Sequence, residues 1–149
     1  MTIAMIGSGA LGLYYGARLQ QAGEDVHFLL RSDYDAICNK GLTVHSCDGD
    51  FYLESLQGYR NAHEMPKADL VIVGLKTFAN QHLKELITPL LSEQTAILTL
   101  QNGLGNEEQL AEIVWSRTDS RWCRFICSNR GNRVKPTTFQ VPSLVSQAG

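Results

Sequence analysis

The chain has 149 residues, of which 44% are hydrophobic and 19% charged, and its formal net charge is −2. This length predicts one domain with a single core, and the ordinary hydrophobicity excludes a disordered or fibrous chain. The small net charge gives no field that attracts nucleic acid or a membrane surface, so we expect neither partner. The apolar runs, such as residues 70–75, are too short to cross a bilayer, and the N-terminus lacks the basic segment of a signal peptide.

The cysteines and histidines do not form a pattern typical of a metal site. Cys123 and Cys127 are four residues apart but have neither a second cysteine pair nor a nearby histidine. We therefore expect reduced thiols, a cytoplasmic location and no bound metal. The histidines are scattered. We expect all of them on the surface or in loops: His27, His45, His63 and His82.

Short apolar runs alternate along the chain with segments of helical spacing. The predicted strands are Thr2–Ile6, residues 25–30, residues 42–45, Phe51–Leu53, residues 68–75, residues 96–100 and Arg124–Cys127. The predicted helices cover residues 10–22, residues 33–40, residues 78–91 with a kink or a restart at Pro89, and residues 106–115. This alternation predicts the α/β class, with a parallel sheet and right-handed crossovers.

The charge distribution changes towards the C-terminal end. Residues 1–114 carry a net charge of −7, whereas residues 115–149 carry +5. The last stretch also loses hydrophobic periodicity and gains Ser, Arg, Asn and Pro. We therefore predict one domain over residues 1–131 and an irregular tail over residues 132–149.

The segment after the first predicted strand has glycines at the spacing of a dinucleotide-binding loop. Gly7 would allow a tight turn, Gly9 would let a pyrophosphate approach the backbone, and Gly12 would let the next helix pack on the strand. The N–H groups at the start of that helix favour phosphate. The alternative is a glycine-rich turn without a ligand. We predict a Rossmann-type, doubly wound domain with these cofactor residues: Gly7, Ser8, Gly9, Ala10, Leu11 and Gly12.

The end of the second predicted strand indicates which dinucleotide binds. In this fold an acidic residue there holds the ribose 2′-hydroxyl of NAD, whereas an arginine favours the 2′-phosphate of NADP. Arg31 lies 19 residues beyond Gly12, and its planar guanidinium suits a phosphate. Ser32 would add a hydroxyl contact. Two alternatives stay open: Arg31 is an ordinary surface charge, or Asp33 selects NAD.

Polar residues follow two later predicted strands. Ligands of open parallel sheets bind beyond the carboxyl ends of the strands, where Lys76 and Asn102 stand. Lys76 would contact the cofactor or a substrate carboxylate, and Asn102 the nicotinamide or a substrate carbonyl. The alternatives are a solvated lysine before an N-cap at Thr77, and an ordinary Asn-Gly turn.

These motifs resemble the N-terminal half of the ketopantoate reductase, or 2-dehydropantoate 2-reductase, family. The resemblance is continuous from residue 1 to about residue 114 and patchy to about residue 130. The glycine loop is generic to many dehydrogenases, whereas the later motifs, in this order, are more specific. The segments that carry it are residues 6–12, residues 15–19, Arg31, residues 73–77, residues 100–106 and residues 125–130.

The resemblance implies an NADPH-dependent enzyme that reduces 2-dehydropantoate to pantoate, a step towards pantothenate and coenzyme A. It implies that residues 7–12 hold the pyrophosphate, Arg31 the 2′-phosphate and Lys76 the cofactor. Asn102 would lie where nicotinamide and substrate meet, as the catalytic-site residue of this half. The family's catalytic acid is a lysine of a second, helical domain, which also supplies most substrate contacts.

The sequence also departs from the family. It stops at Gly149, so the helical domain and its lysine have no counterpart here, and residues 114–124 do not resemble the family. We interpret this as a truncated or frame-disrupted chain that supplies the NADP-binding half, with little activity expected alone. The alternatives are a non-catalytic dinucleotide-binding module and a related reductase of another 2-oxo acid. A small 2-oxo acid is the expected partner, with a homodimer where apolar surface is left exposed.

Overall fold

The computed structural model describes residues 1–46, 49–75, 82–101, 110, 124–127 and 137–139. The strands are β1 Thr2–Ile6, β2 Asp25–Leu29, β3 Leu42–Val44, β4 Phe51–Leu53, β5 Gln57–Tyr59, β6 Leu70–Val73, β7 Ala96–Thr99, β8 Arg124–Cys127 and β9 Thr137–Phe139. The helices are α1 Ala10–Gln21, α2 Tyr34–Lys40 and α3 Leu83–Ile87, with 3₁₀ turns at Ala62–Glu64 and Thr88–Leu90.

Within these residues, seven strands form one sheet in the order β5-β2-β1-β6-β7-β8-β9. Neighbouring strands are parallel from β5 to β8, and β9 pairs antiparallel with β8. The chain builds outwards from β1 on one side, then returns to place β6 on the other side of β1. This reversal creates a topological switch point between β1 and β6, as in doubly wound folds. The predicted Rossmann-type α/β class is confirmed.

The central strand β1 is buried on both faces, which explains its continuous apolar sequence. Because side chains alternate along a strand, Ala4 and Ile6 face one apolar cluster while Ile3 and Met5 face the other. None of these four side chains is more than 1% exposed. The two clusters form the two halves of the core, one on each face of the sheet.

Helix α1 packs closely on the sheet through a glycine. A Cβ placed on Gly16 would lie 2.9 Å from Phe28 Cζ and 3.0 Å from Met5 Cγ. Gly16 is therefore a contact point at which the helix backbone meets ring and thioether carbons directly. The small residue at this position sets how near the start of α1 lies to the ends of the strands.

The β3–β4 hairpin forms a separate two-stranded sheet and packs on α1. Arg18 of α1 lies over the Phe51 ring, with its guanidinium carbon 4.6 Å from the ring centroid, and donates to the Gly49 carbonyl at 3.4 Å. The hairpin therefore covers part of α1 that the main sheet does not contact.

Most predicted elements are confirmed, with shifted ends. The strand β5 was not predicted, because Gln57-Gly58-Tyr59 is short, partly polar and interrupted by glycine. The predicted interruption of this helix at Pro89, as a kink or a restart, is confirmed, since α3 ends at Ile87 and a 3₁₀ turn that contains this proline follows. The helix predicted over residues 106–115 lies outside the described residues except for Leu110, which is buried. In the described residues, no helix is long and apolar enough to span a membrane.

Strand β9 lies inside the stretch of residues 132–149 that we expected to be irregular. Its three residues pair with β8 through backbone hydrogen bonds, so regular structure continues beyond residue 131 at this point. A three-residue strand leaves little periodicity to detect in a sequence.

The expectation that all four histidines lie on the surface or in loops is wrong for His27. This side chain is buried within β2, with Nδ1 3.0 Å from the Tyr59 hydroxyl and Nε2 3.2 Å from Asp25 Oδ2. Both ring nitrogens therefore have partners inside the protein. These partners come from β5 and from the start of β2, and no sequence pattern links them.

The carboxylate of Asp25 collects hydrogen bonds at the amino end of the sheet. The Gln57 amide donates to Asp25 Oδ1 at 2.6 Å, and the Thr2 hydroxyl donates to Oδ2 at 3.2 Å. The Gln57 hydrogen bond, followed by that of His27, holds the pKa of Asp25 below its ordinary value of 3.8. The carboxylate thereby joins strands β1, β2 and β5.

We predict that Gly16→Ala lowers the free energy of unfolding by about 1–2 kcal/mol. Overpacking against Phe28 costs about 1–3 kcal/mol, and the better helix propensity of alanine offsets at most about 1 kcal/mol. Chemical denaturation measures the difference. Gln21→Ala, at an exposed position of the same helix, serves as the control and changes stability by less than about 0.5 kcal/mol. An equal effect of the two variants would contradict the packing assignment.

We predict that Asp25 makes stability depend on pH in the acid range. Its folded pKa lies below the unfolded value, so its stabilisation is present above pH 3.8 and is lost as pH falls through the folded pKa. Thermal unfolding between pH 5 and pH 2 should show a shallower decline for Asp25→Asn than for the wild type. Glu54→Gln, which changes an exposed carboxylate, should leave the wild-type slope intact. An unchanged slope in Asp25→Asn would refute the assignment.

Candidate functional site

A cleft of about 290 Å³ opens at the carboxyl ends of the central strands. Ile6 pairs with Leu29 on one side and with Val73 on the other, so β1, β2 and β6 end at the same level. The cleft is lined by the loop after β1, the segment after β2 and the segment after β6, together with Leu86 of α3. It therefore lies at the switch point, where open α/β sheets bind ligands.

Gly7 brings the loop after β1 against the end of β6. Its φ is 96°, a conformation that favours glycine, and a Cβ at this position would lie 2.5 Å from Leu75 N and 2.7 Å from Gly74 C. Both the backbone angle and the available space therefore require glycine. The tight turn predicted at Gly7 is present in the structure.

Gly12 and Gly74 complete a backbone-to-backbone contact with Gly7. A Cβ on Gly12 would overlap the Gly7 carbonyl oxygen, and a Cβ on Gly74 would lie 3.2 Å from that oxygen and 3.5 Å from Gly12 Cα. Sequence reasoning assigned no role to Gly74. Its signal was a small residue placed directly after a buried strand.

Gly9 differs from these glycines because its Cβ position faces open space. Apart from its two chain neighbours, no described residue has a heavy atom within 4 Å of a Cβ built there, and Gly9 is exposed at the cleft. Gly9 is the N-cap of α1, where no side chain forms a cap hydrogen bond and the first turn contains no acidic residue. The start of this 12-residue helix therefore presents backbone N–H groups and the positive end of its dipole to an anion.

Three other predicted cofactor residues of this loop differ in position: Ser8 lines the cleft, whereas Ala10 and Leu11 do not. Ser8 lines it, but its hydroxyl donates to the Leu29 carbonyl at 2.6 Å and ties the glycine loop to the end of β2. Ala10 and Leu11 are exposed in the first turn of α1, outside the cleft lining. Their side chains contribute apolar surface beside the opening, whereas their backbone belongs to the helix start.

Arg31, Ser32 and Asp33 form an exposed rim after β2. The Ser32 hydroxyl donates to Asp33 Oδ1 at 3.1 Å. Among the described residues, no carboxylate forms an ion pair with Arg31. The rim therefore presents the Arg31 guanidinium to an incoming anionic group. One oxygen of Asp33 already accepts a hydrogen bond from Ser32.

Lys76 and Asn102 lie outside the described residues, so their roles stay predictions. The residues just before them are described: Leu75 lines the cleft, and the Gln101 N–H donates to the Thr99 hydroxyl at 3.2 Å. Strands β6 and β7 end level, since Val73 pairs with Thr99. In the part of the chain that the structure describes, no group of three or more His, Cys, Asp or Glu side chains could hold a metal ion.

The strand order, the switch point and the glycine-lined cleft define a Rossmann-type α/β domain. The chain belongs to the Ketopantoate reductase PanE/ApbA family, whose sequence model matches residues 3–144. It is 49% identical over 127 residues to the 2-dehydropantoate 2-reductase of Nostoc sp., a match covering 85% of this chain and 40% of that relative.

Solved structures give the same relationship. The 2-dehydropantoate 2-reductase of Geobacter metallireducens is 56% identical, with a TM-score of 0.77, over 89% of this chain and 44% of that one. The 2-dehydropantoate 2-reductase of Methylococcus capsulatus is 27% identical, with a TM-score of 0.74, over 87% and 40%. The chain spans about 40% of the length of the Nostoc relative. The resemblance identified from the motifs is confirmed.

Proposed function

We propose that this chain forms the NADPH-binding part of a reductase that converts 2-dehydropantoate to pantoate. The observation that carries the proposal is the open approach at Gly9, in a cleft where the other loop glycines fix the backbone. Family membership supports the same assignment. The NADP-binding domain would span residues 1–131, and the similarity to the family reaches residue 144.

In this proposal the glycine loop and the start of α1 hold the pyrophosphate. Gly9 leaves room for a phosphate beside the helix N–H groups, and no side chain of the described residues lies within 4 Å of that position apart from those of its chain neighbours. The Ser8 hydroxyl holds the loop to β2 instead of contacting phosphate, which keeps the backbone N–H groups in place. The site is therefore built from main-chain groups, which carry no net charge.

The preference for NADPH over NADH rests on the rim. A 2′-phosphate carries close to two negative charges, and an arginine recognises it through several N–H donors. Arg31 supplies that charge without an ion-pair partner among the described residues. The rival residue Asp33 would favour the ribose hydroxyl of NADH, but one of its oxygens is engaged by Ser32.

The bound cofactor supplies a hydride for the C2 ketone, and a proton completes the new hydroxyl. Within this chain, Lys76 would contact the cofactor and Asn102 would lie where nicotinamide and substrate meet. These two roles come from the family resemblance. In the family, the catalytic acid and most substrate contacts belong to the helical domain. A general acid typically contributes about 10²–10⁴-fold.

A related reductase of another 2-oxo acid is the second candidate. The chain is 31% identical over 113 residues to YkpB of Bacillus subtilis, described as an uncharacterized oxidoreductase. The described cleft is on the cofactor side and does not select between 2-oxo acids. Binding of NADPH without reduction of any 2-oxo acid, after a helical domain is supplied in trans, would favour a non-catalytic module instead.

We predict that Arg31→Ala weakens NADPH binding about 10–100-fold and leaves NADH binding within about twofold. The lost contact is a charge-assisted hydrogen bond to a phosphate that only NADPH carries. Fluorescence titration with each dinucleotide measures both constants. Asp33→Asn is the paired variant, and it should leave NADPH binding intact or stronger. Tighter NADH binding by the wild type that is lost in Asp33→Asn would overturn the NADPH assignment.

We predict that Gly9→Ala weakens NADPH and NADH equally, by about tenfold or more. The added methyl group fills the open approach to the helix N–H groups, which both dinucleotides would use through their common pyrophosphate. The weaker N-cap lowers the free energy of unfolding by at most about 1 kcal/mol, which a denaturation curve checks. Undiminished binding of both dinucleotides would show that the pyrophosphate lies elsewhere.

A further inference from the structure

The segment that carries Arg31 is held at both ends by two consecutive residues: Tyr59, the last residue of β5, and Arg60, which follows it. Before the segment, the Leu30 N–H donates to the Tyr59 carbonyl at 2.8 Å. After it, Arg60 Nη2 donates to Asp35 Oδ2 at 2.5 Å in an exposed ion pair. Tyr59 and Arg60 therefore support the rim of the cleft without lining it.

Arg60 also packs on the start of α2. Its guanidinium carbon lies 4.3 Å from the centroid of the Tyr34 ring, the first residue of the helix. Helix α2 has only seven residues, and its N-cap Asp33 forms no side-chain cap hydrogen bond. A helix this short is marginal on its own, so its first turn depends on contacts from outside the helix.

The charges at this point of the cleft are arranged around a possible phosphate. Asp33 and Asp35 stand within four residues of Arg31, and both carboxylates would repel a 2′-phosphate. Arg60 pairs with Asp35 and neutralises it. The Asp35 hydrogen bond in turn raises the pKa of Arg60, whose guanidinium carries its positive charge at neutral pH. On this segment, Asp33 then remains as the one carboxylate without an ion pair to any described residue, instead of two such carboxylates beside Arg31.

We propose that Arg60 is a positioning and specificity-determining residue for the phosphorylated dinucleotide, acting by neutralising Asp35 and holding the first turn of α2 behind Arg31. This inference rests on the proposed NADPH site. Exposed ion pairs contribute little to overall stability, so the consequence of losing Arg60 lies in ligand discrimination and not in folding. The effect is selective because NADH has no 2′-phosphate for Asp35 to repel.

Arg60→Ala tests this role by fluorescence titration with NADPH and NADH at low ionic strength, where surface charges are least screened. We expect NADPH binding to weaken about two- to fivefold, the range of one exposed charge pair, with NADH binding unchanged. Lys40→Ala is the matched control, since it removes one positive charge from the opposite end of the same helix. It should leave the ratio of the two binding constants at the wild-type value.

The double variant Arg60→Ala/Asp35→Asn distinguishes neutralisation of the Asp35 charge from structural support of the first turn of α2. It removes the carboxylate that Arg60 neutralises, so NADPH binding should return to within about twofold of the wild type. A double variant as weak as Arg60→Ala would overturn the neutralisation role. Equal weakening of NADPH and NADH by Arg60→Ala, no weakening, or the same shift in Lys40→Ala would overturn the specificity role.

The wild-type titration distinguishes this inference from the proposed function. If the wild type binds neither dinucleotide, the proposed function fails and this inference falls with it. If the wild type binds NADPH and Arg60→Ala has the same ratio of NADPH to NADH binding constants as the wild type, only the inference fails. Hydrogen exchange without ligand adds an independent readout, because a loosened α2 should exchange the Ile37 amide, bonded to the Asp33 carbonyl at 2.9 Å, faster in Arg60→Ala.

Discussion

Direct backbone contact between the loop after β1 and the end of β6 determines the shape of the cleft. Gly7, Gly12 and Gly74 meet at distances that leave no room for a Cβ on Gly7 or Gly12. This contact places the start of α1 at the switch point, where its N–H groups face outwards. One helical turn after Gly12, the missing side chain of Gly16 likewise lets α1 pack directly against Phe28. The exposure of these N–H groups, which we propose bind the pyrophosphate, therefore follows from close packing that only glycine allows.

In the proposed function, the rim would add selectivity to this main-chain site. Arg31 stands on a short exposed segment, and the last residue of β5, Tyr59, and the next residue, Arg60, hold the two ends of that segment. Strand β5 also supplies Gln57 and the Tyr59 hydroxyl to the Asp25–His27 group at the other end of the sheet. Strand β5 and the residue after it thus link a structural network of hydrogen bonds to the part of the cleft that would distinguish the two dinucleotides.

The features predicted from sequence were those with strong local signals. Strand β1 and the turn at Gly7 follow from an apolar run that ends in spaced glycines, and the order of the later motifs pointed to the family. Strand β5, the burial of His27 and the roles of Gly74 and Arg60 were not predicted. Each depends on contacts between residues far apart in the sequence, such as Arg60 with Asp35 or His27 with Tyr59. Neither residue of such a pair carries a local pattern that identifies its partner.

The most direct test of this account is a titration of the wild-type chain with NADPH and with NADH, followed by fluorescence. The account predicts saturable binding of NADPH at least about tenfold tighter than that of NADH, the value of one charge-assisted contact to the 2′-phosphate. Binding of neither dinucleotide would contradict the assignment of the glycine-lined cleft. Equal binding of both would retain the cleft as a dinucleotide site but contradict the role of Arg31.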